Sequence, residues 1–164
     1  MSKGFSACIV AAGRGERAGG GVPKQLRPVA GAPVLAWSVR RFAAHPSCRE
    51  VLVAVSPGGE PAARAALGAE ADGVVFVQGG ETRTASVRNA VQAATGALVL
   101  VHDAARPLVS ARIIDDLLQA LETADGAAPA LALSDALVRD AASGVEPVDR
   151  SGLWRMQTPQ AFHA

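Results

Sequence analysis

Gly13-Arg14-Gly15-Glu16-Arg17-Ala18-Gly19-Gly20-Gly21-Val22-Pro23-Lys24-Gln25 is the segment of this chain best equipped to hold a polyphosphate. Glycines without Cβ let the backbone approach phosphate oxygens, and their N–H groups can form an anion-binding nest. Arg17 offers a planar fork to those oxygens and Lys24 a compact point charge. From Arg17 through Arg49 there are six basic residues and no Asp or Glu. Lys3 and Lys24 are the two lysines among 16 basic residues, so Lys24 is the one internal position given an ammonium.

Three readings of that segment compete. A Gly-rich surface turn with solvated arginines is the plainest. A dinucleotide site is the second, because Gly13-Arg14-Gly15-Glu16-Arg17-Ala18 fits G-x-G-x-x-G/A. That site needs an acidic residue about 20 positions on to hold the ribose, and none lies between Glu16 and Glu50. A Walker A loop also fails, because Lys24 follows Pro23 and precedes Gln25 instead of Ser or Thr. The third reading, a nucleoside triphosphate held by a loop that also carries catalytic cations, fits best.

The carboxylate to go with those cations is Asp103, in His102-Asp103-Ala104-Ala105-Arg106-Pro107. Mg²⁺ retains several waters and takes one or two protein carboxylates together with phosphate oxygens. Asp103 is placed to be that carboxylate or to orient a metal-bound water; the bland alternative is a helix-capping Asp paired with Arg106. His102 reads as structural. In Gly79-Gly80-Glu81-Thr82-Arg83-Thr84-Ala85-Ser86-Val87, Ser86 could read a base edge while Gly80 brings backbone N–H groups close. Taken alone, that segment is only a helix N-terminus.

Strands alternating with helices must position these residues. Apolar runs predict strands at 5–12, 51–55, 74–77, 98–101 and 127–133. Helical spacing follows Pro33 (Leu35, Val39, Phe42), covers 61–68, recurs at Val87, Ala90, Val91 and Ala94, and follows Ser110 as N-cap (Ile113, Ile114, Leu117, Leu118, Leu121). Residues 136–150 alternate weakly around Ser143-Gly144 and predict a hairpin or extended arm. The order implies a Rossmann-like three-layer α/β fold, a mostly parallel sheet with helices on both faces. Ligands bind such sheets outside the carboxyl ends of the strands, where the candidate loops fall.

Composition excludes several alternatives. With 164 residues the size prior is one domain, and 49% hydrophobic residues exclude disorder. A net charge of +1 gives no global case for nucleic acid or an anionic membrane. No apolar run approaches the roughly 20 residues of a membrane span. Cys8 and Cys48 make neither a disulfide framework nor a metal cluster, and Cys8 reads as a small buried hydrophobe. A short N-terminal apolar stretch leading into a Gly/Arg loop does not read as a secretory signal, so a cytoplasmic protein is expected.

The order of four motifs carries a resemblance. Ala11-Ala12-Gly13 through Pro23-Lys24-Gln25 comes first, then Gly80 with Arg83 and Ser86-Val87, then Val101-His102-Asp103-Ala104-Ala105-Arg106-Pro107. Asp149-Arg150, Leu153-Trp154 and Gln157-Thr158-Pro159-Gln160-Ala161-Phe162 complete the set. Together they closely resemble the 2-C-methyl-D-erythritol 4-phosphate cytidylyltransferase family of the non-mevalonate isoprenoid route, across essentially the whole chain. The resemblance implies transfer of cytidylyl from CTP to methylerythritol phosphate, with pyrophosphate released and Mg²⁺ or another divalent cation as cofactor. It implies Arg17 and Lys24 as the catalytic cations. Ala12, Gly13, Gly15, Gly80, Ser86 and Ala104 are implied at the nucleotide. Asp103 falls near ribose, metal and acceptor, and Arg106 beside the acceptor. Arg150 resembles an arm residue reaching into the neighbouring subunit of a homodimer, which makes 136–150 the expected dimerisation arm.

Two departures accompany it. Asp135-Ala136 stands where the family usually has Asp-Thr, which removes one hydroxyl contact to the acceptor. The family also continues past Phe162 with a further strand, helices and a late lysine at the active site. The expectation is therefore a single nucleotidyltransferase domain over 1–164, incomplete at its C-terminus. The rival within the family's chemistry is ribitol 5-phosphate cytidylyl transfer, against which Asp103-Ala104-Ala105-Arg106 speaks. The rival outside catalysis is a nucleotide-binding module without turnover.

Overall fold

A computed structural model describes residues 4–13, 21–142 and 144–164. Strand β1 (Phe5–Val10) is buried on both faces, which is why its sequence is an unbroken run of apolar and small residues. A 3-10 turn, Lys24–Leu26, leads to two short paired strands, β2 (Pro28–Val29) and β3 (Ala32–Pro33). The chain reverses between them through Ala30 and Gly31 at positive φ. Helix α1 (Val34–Ala43) follows Pro33 and buries Leu35, Val39 and Phe42, as their spacing predicts. Strand β4 (Cys48–Val55), helix α2 (Glu60–Leu67) and strand β5 (Val74–Gln78) come next. Helix α3 (Arg83–Ala93) is capped by Thr82, whose hydroxyl accepts the Ala85 N–H. Strand β6 (Leu98–Asp103) precedes helix α4 (Ala111–Ala120), where Ser110 accepts the Ile113 N–H as a Ser N-cap should.

The remaining elements are short strands: β7 (Gly126–Ala127), β8 (Ala130–Ala132), β9 (Leu137–Ala141), β10 (Gly144–Val148), β11 (Trp154–Met156) and β12 (Gln160–His163). The central sheet runs β5-β4-β1-β6-β12-β7. Its first four strands are mutually parallel, and β12 is antiparallel to both neighbours. Alternate residues of the strands feed two cores. Phe5, Ala7 and Ile9 of β1 pack with Leu35 and Phe42 of α1, Ala63 of α2 and Ile114 of α4. Cys8, Leu52 and Val101 face the opposite side, against Ala90 of α3. This is the expected three-layer sandwich. Burial pushes the Cys8 thiol up to about 12, so it stays a neutral core group at ordinary pH.

Two expectations require correction. The strand predicted at 127–133 is broken: Ala127 pairs with β12 in the main sheet, whereas 130–132 leaves it to pair with β11. Pro129 lies at the break, and proline has no N–H to continue a ladder. The stretch 160–163, given no element by periodicity, supplies the antiparallel strand between β6 and β7. Ala161 is its one fully buried residue, so no alternation was visible. The expected arm is a β9–β10 hairpin. With β8 and β11 it exposes Leu131, Val138, Val145, Trp154 and Met156. No helix among the described residues is long and apolar enough to cross a membrane.

Below the sheet, at the amino ends of the strands, Glu50 pins the turn before β6. Its Oε1 accepts Ser6 Oγ at 2.5 Å, the Thr95 N–H at 2.6 Å and Thr95 Oγ1 at 2.8 Å. Partial burial opposes the charge, but hydrogen bonds from Ser6 and Thr95 outweigh it and hold the carboxyl below its ordinary value. A depressed folded-state pKa means stability that is present above the unfolded pKa and is lost as pH falls through the folded one. Urea midpoints between about pH 5 and pH 3 should therefore decline more steeply for the unsubstituted chain than for Glu50→Gln. Parallel curves would show that Glu50 makes no pH-linked contribution.

Candidate active site

Three loops meet at the carboxyl ends of β1, β4 and β6. Val10 lies beside Asp103 across the β1–β6 pair, and the Ala104 N–H donates to the Val10 carbonyl at 3.1 Å. The Gly79 N–H donates to the Val55 carbonyl at 2.7 Å, which draws the β5–α3 loop over β4. A Cβ at Gly79 would lie 2.6 Å from Ala12 Cβ, and one at Gly80 would lie 2.4 Å from Ala85 Cβ. Neither neighbour is a flexible tip, so the glycines are there for close approach. Ala12, Gly13, Gly79–Gly80 and Asp103–Ala104 thus form one edge, as the sequence reading required.

Lys24 stands at the rim of this edge, exposed at the start of the 3-10 turn. The next residue anchors it: Gln25 is buried, and its Nε2 donates to the carbonyls of Ala11 at 2.6 Å and Gly13 at 3.2 Å. Among the described residues no carboxylate pairs with Lys24. Arg17 and Gly15 fall at 14–20, outside the described residues.

Asp103 is not a helix cap; Ser110 caps α4. Its carboxylate sits between two arginines. Oδ1 accepts Arg83 Nε at 3.0 Å and Nη2 at 2.9 Å, and Oδ2 accepts Arg106 Nε at 3.3 Å. Arg106 Nη1 in turn donates to Gln157 Oε1 at 2.5 Å. Beneath them lies His102, fully buried, with its ring edge-on to Phe42 at 5.2 Å. His102 Nε2 donates to the Arg106 carbonyl at 2.9 Å, leaving Nδ1 to accept the Thr158 hydroxyl at 3.1 Å. Thr158 Oγ1 also accepts the Asp103 N–H. Burial lowers the His102 pKa and keeps the ring neutral, as this bonding pattern needs. His102 is structural, as expected, and it fixes the segment that carries Asp103 and Arg106.

Two further expected site residues hold the loop and the arm. Ser86 is 1% exposed, and its hydroxyl accepts the Gly80 N–H at 3.1 Å while donating to the Thr82 carbonyl at 3.0 Å. It clasps the loop from inside. Arg150 lies in the arm, where Nη1 donates to the Ser134 carbonyl. Among the described residues it makes no hydrogen bond or ion pair with Asp103 or Arg106. Gln25, Arg83, Gln157 and Thr158 stood in the sequence motifs without a role. Arg83, directly after a Thr cap and a Gly-Gly loop, was the one with a readable position.

The donor set limits what metal could sit here. Among the described residues no group of three or more His, Cys, Asp or Glu could hold an ion. A lone hard carboxylate beside an anion-seeking loop fits Mg²⁺ shared with phosphate oxygens, and does not fit a cation caged by protein alone. A cleft of about 750 Å³ opens at the opposite ends of the strands beside Leu98, Asp115 and His163. Volume therefore does not locate the site; the convergence of loops does.

A mostly parallel α/β sheet whose carboxyl edge joins the Gly79–Gly80 loop, an exposed lysine and an arginine-flanked aspartate defines a nucleotide-binding protein of the Rossmann-like class. A family profile described as 2-C-methyl-D-erythritol 4-phosphate cytidylyltransferase matches residues 5–164, and the chain belongs to that family of nucleotidyltransferases. A Cereibacter sphaeroides protein of that name is 50% identical over 161 residues, covering 96% of this chain and 72% of the relative. The bifunctional enzyme IspD/IspF of Rhodobacter capsulatus is 51% identical over 158 residues, 94% of this chain and 40% of the relative. The crystal structure of 2-C-methyl-D-erythritol 4-phosphate cytidylyltransferase from Thermus thermophilus superposes with a TM-score of 0.78 at 36% identity, covering 99% of this chain and 71% of that one.

Proposed function

We propose that this chain transfers cytidylyl from CTP to 2-C-methyl-D-erythritol 4-phosphate, giving 4-diphosphocytidyl-2-C-methyl-D-erythritol and pyrophosphate. The observation that carries the reading is the meeting of Ala12–Gly13, Gly79–Gly80 and Asp103–Ala104 at one edge of the sheet in a chain of this family. The acceptor's phosphate oxygen is already a nucleophile, so the site needs no strong base. That oxygen forms a bond to the α-phosphorus as the bond to the bridging oxygen breaks, and the pair of electrons leaves with pyrophosphate. Catalysis of such a displacement is positioning plus stabilisation of developing charge. Lys24 and Arg17 supply the charge. Ala12, Gly13, Gly15, Gly80, Ser86 and Ala104 shape the nucleotide pocket. Asp103 and Arg106 face the acceptor side, and Asp103 with the phosphates would hold Mg²⁺. When bound, the cation neutralises triphosphate charge and orients the leaving group.

Arg150 needs a second subunit to serve this site. The exposed Leu131, Val138, Val145, Trp154 and Met156 on the arm favour a homodimer, since isolated hairpins are marginal in water and exposed apolar patches mark interfaces. Sedimentation should show a concentration-dependent dimer that Trp154→Asp dissociates; a monomer at all concentrations would leave Arg150 without its role. The activity is tested by pyrophosphate release from CTP with each polyol phosphate supplied in turn. Methylerythritol phosphate should support release well above ribitol 5-phosphate. Preference for ribitol 5-phosphate would reassign the acceptor, and CTP binding without release would leave only a nucleotide-binding module.

A further inference from the structure

Both carboxylate oxygens of Asp103 are engaged by guanidinium groups in this structure. Arg83 forks onto Oδ1 through Nε and Nη2, and Arg106 takes Oδ2. A divalent cation drawn to Asp103 competes at Oδ1 with the guanidinium held there at 2.9 Å. The arginine held less firmly is the one a cation displaces most readily.

The two arginines are not equivalent. Arg106 is fixed at several points: its Nη1 donates to Gln157, its carbonyl accepts His102, and its N–H donates to the Asp103 carbonyl. Arg83 is the first residue of α3, its side chain is 51% exposed, and Asp103 is its hydrogen-bond and ion-pair partner among the described residues. It can rotate away at the cost of that one half-exposed pair, of a kind that contributes little in water. The Gly79–Gly80 loop lies just ahead of it, on the side where a triphosphate would approach.

We propose that Arg83 is an exchange residue. In the nucleotide-free chain it holds Asp103 Oδ1 in place. When metal and nucleotide arrive together, it yields that oxygen to the cation and turns its fork to the triphosphate. Charges stay matched throughout, because the carboxylate trades a guanidinium for a divalent cation and the guanidinium trades a carboxylate for phosphate oxygens. The inference rests on the cytidylyl-transfer reading of the site, and it makes Arg83 a positioning residue for Asp103 before it contacts substrate.

Free Mn²⁺ counted by electron paramagnetic resonance, with the nucleotide-free chain, gives a readout independent of turnover. Arg83→Met should tighten Mn²⁺ binding by roughly three- to fivefold, the upper range for one exposed ion pair. Arg88→Met, the same charge change on the same helix, should shift it far less. Adding Asp103→Asn to Arg83→Met should abolish the gain, and Arg83→Lys should fall between. Calorimetry should show weaker CTP binding in the presence of Mg²⁺ for Arg83→Met. Equal shifts in Arg83→Met and Arg88→Met would reduce the effect to net charge and overturn the proposal, as would an unchanged Mn²⁺ affinity. If the unsubstituted chain bound no CTP, the functional reading would fail; if it bound CTP while Arg83→Met left Mn²⁺ affinity unchanged, only the exchange role would fail.

Discussion

Lys24→Ala is expected to lower kcat by about 100-fold or more while CTP affinity changes far less, the pattern for a cation whose partner charge develops in the transition state. The neighbouring Gln25 holds the turn to the carbonyls of Ala11 and Gly13, so the truncation removes the ammonium without releasing the loop. Lys24→Arg is impaired as well, because a planar fork places its charge differently from a compact ammonium. Arg17→Ala carries the same expectation. Steady-state turnover against CTP concentration separates the cases: a loss appearing only in KM would make Lys24 a simple binding residue, and near-normal turnover would remove it from the catalytic set.

His102→Leu should cost about 3 kcal/mol of stability, a lowering of Tm by roughly 6–12 °C for a chain of this size. The substitution fills a similar volume but leaves the Arg106 carbonyl and the Thr158 hydroxyl without their partner, and buried polar groups left unpaired are expensive. It also removes the edge-on contact to Phe42. Because Thr158 orients the Asp103 N–H, the same change loosens Asp103 and Arg106 and lowers turnover. A Tm within about 2 °C of the parent would show that water or rearrangement satisfies those groups and that His102 is no keystone.

The parts of the fold that the sequence displays are those where burial leaves a pattern. Strands β1, β4, β5 and β6 are bounded apolar runs because helices cover both of their faces, and α4 announces itself through Ser110 and an apolar stripe. Strand β12 does not, since it is four residues long with Phe162 and His163 exposed. The break at Pro129 was written in the sequence, but the apolar residues on either side outweighed it. The site divides in the same way. Glycine loops and Asp103 are visible because they follow strands. The Arg106–Asp103 pair is local and legible, whereas the Arg83 contact to Asp103, the Gln157 brace and the Thr158 link join residues 20 to 55 positions apart, and no local spacing encodes such pairs. Nor does spacing show that the Ser86 hydroxyl closes its own turn, accepting the Gly80 N–H and donating to the Thr82 carbonyl.

The fate of the individual phosphates of CTP tests the central claim most directly. The chain is incubated at substrate-level concentration with methylerythritol phosphate, a divalent cation and CTP labelled at either the α- or the γ-phosphorus, and the products are separated. Cytidylyl transfer places the α label in the diphosphocytidyl product and the γ label wholly in pyrophosphate. A γ label appearing in the polyol would mean phosphoryl transfer, and an α label that never leaves CTP would mean binding without catalysis; either result would contradict the account.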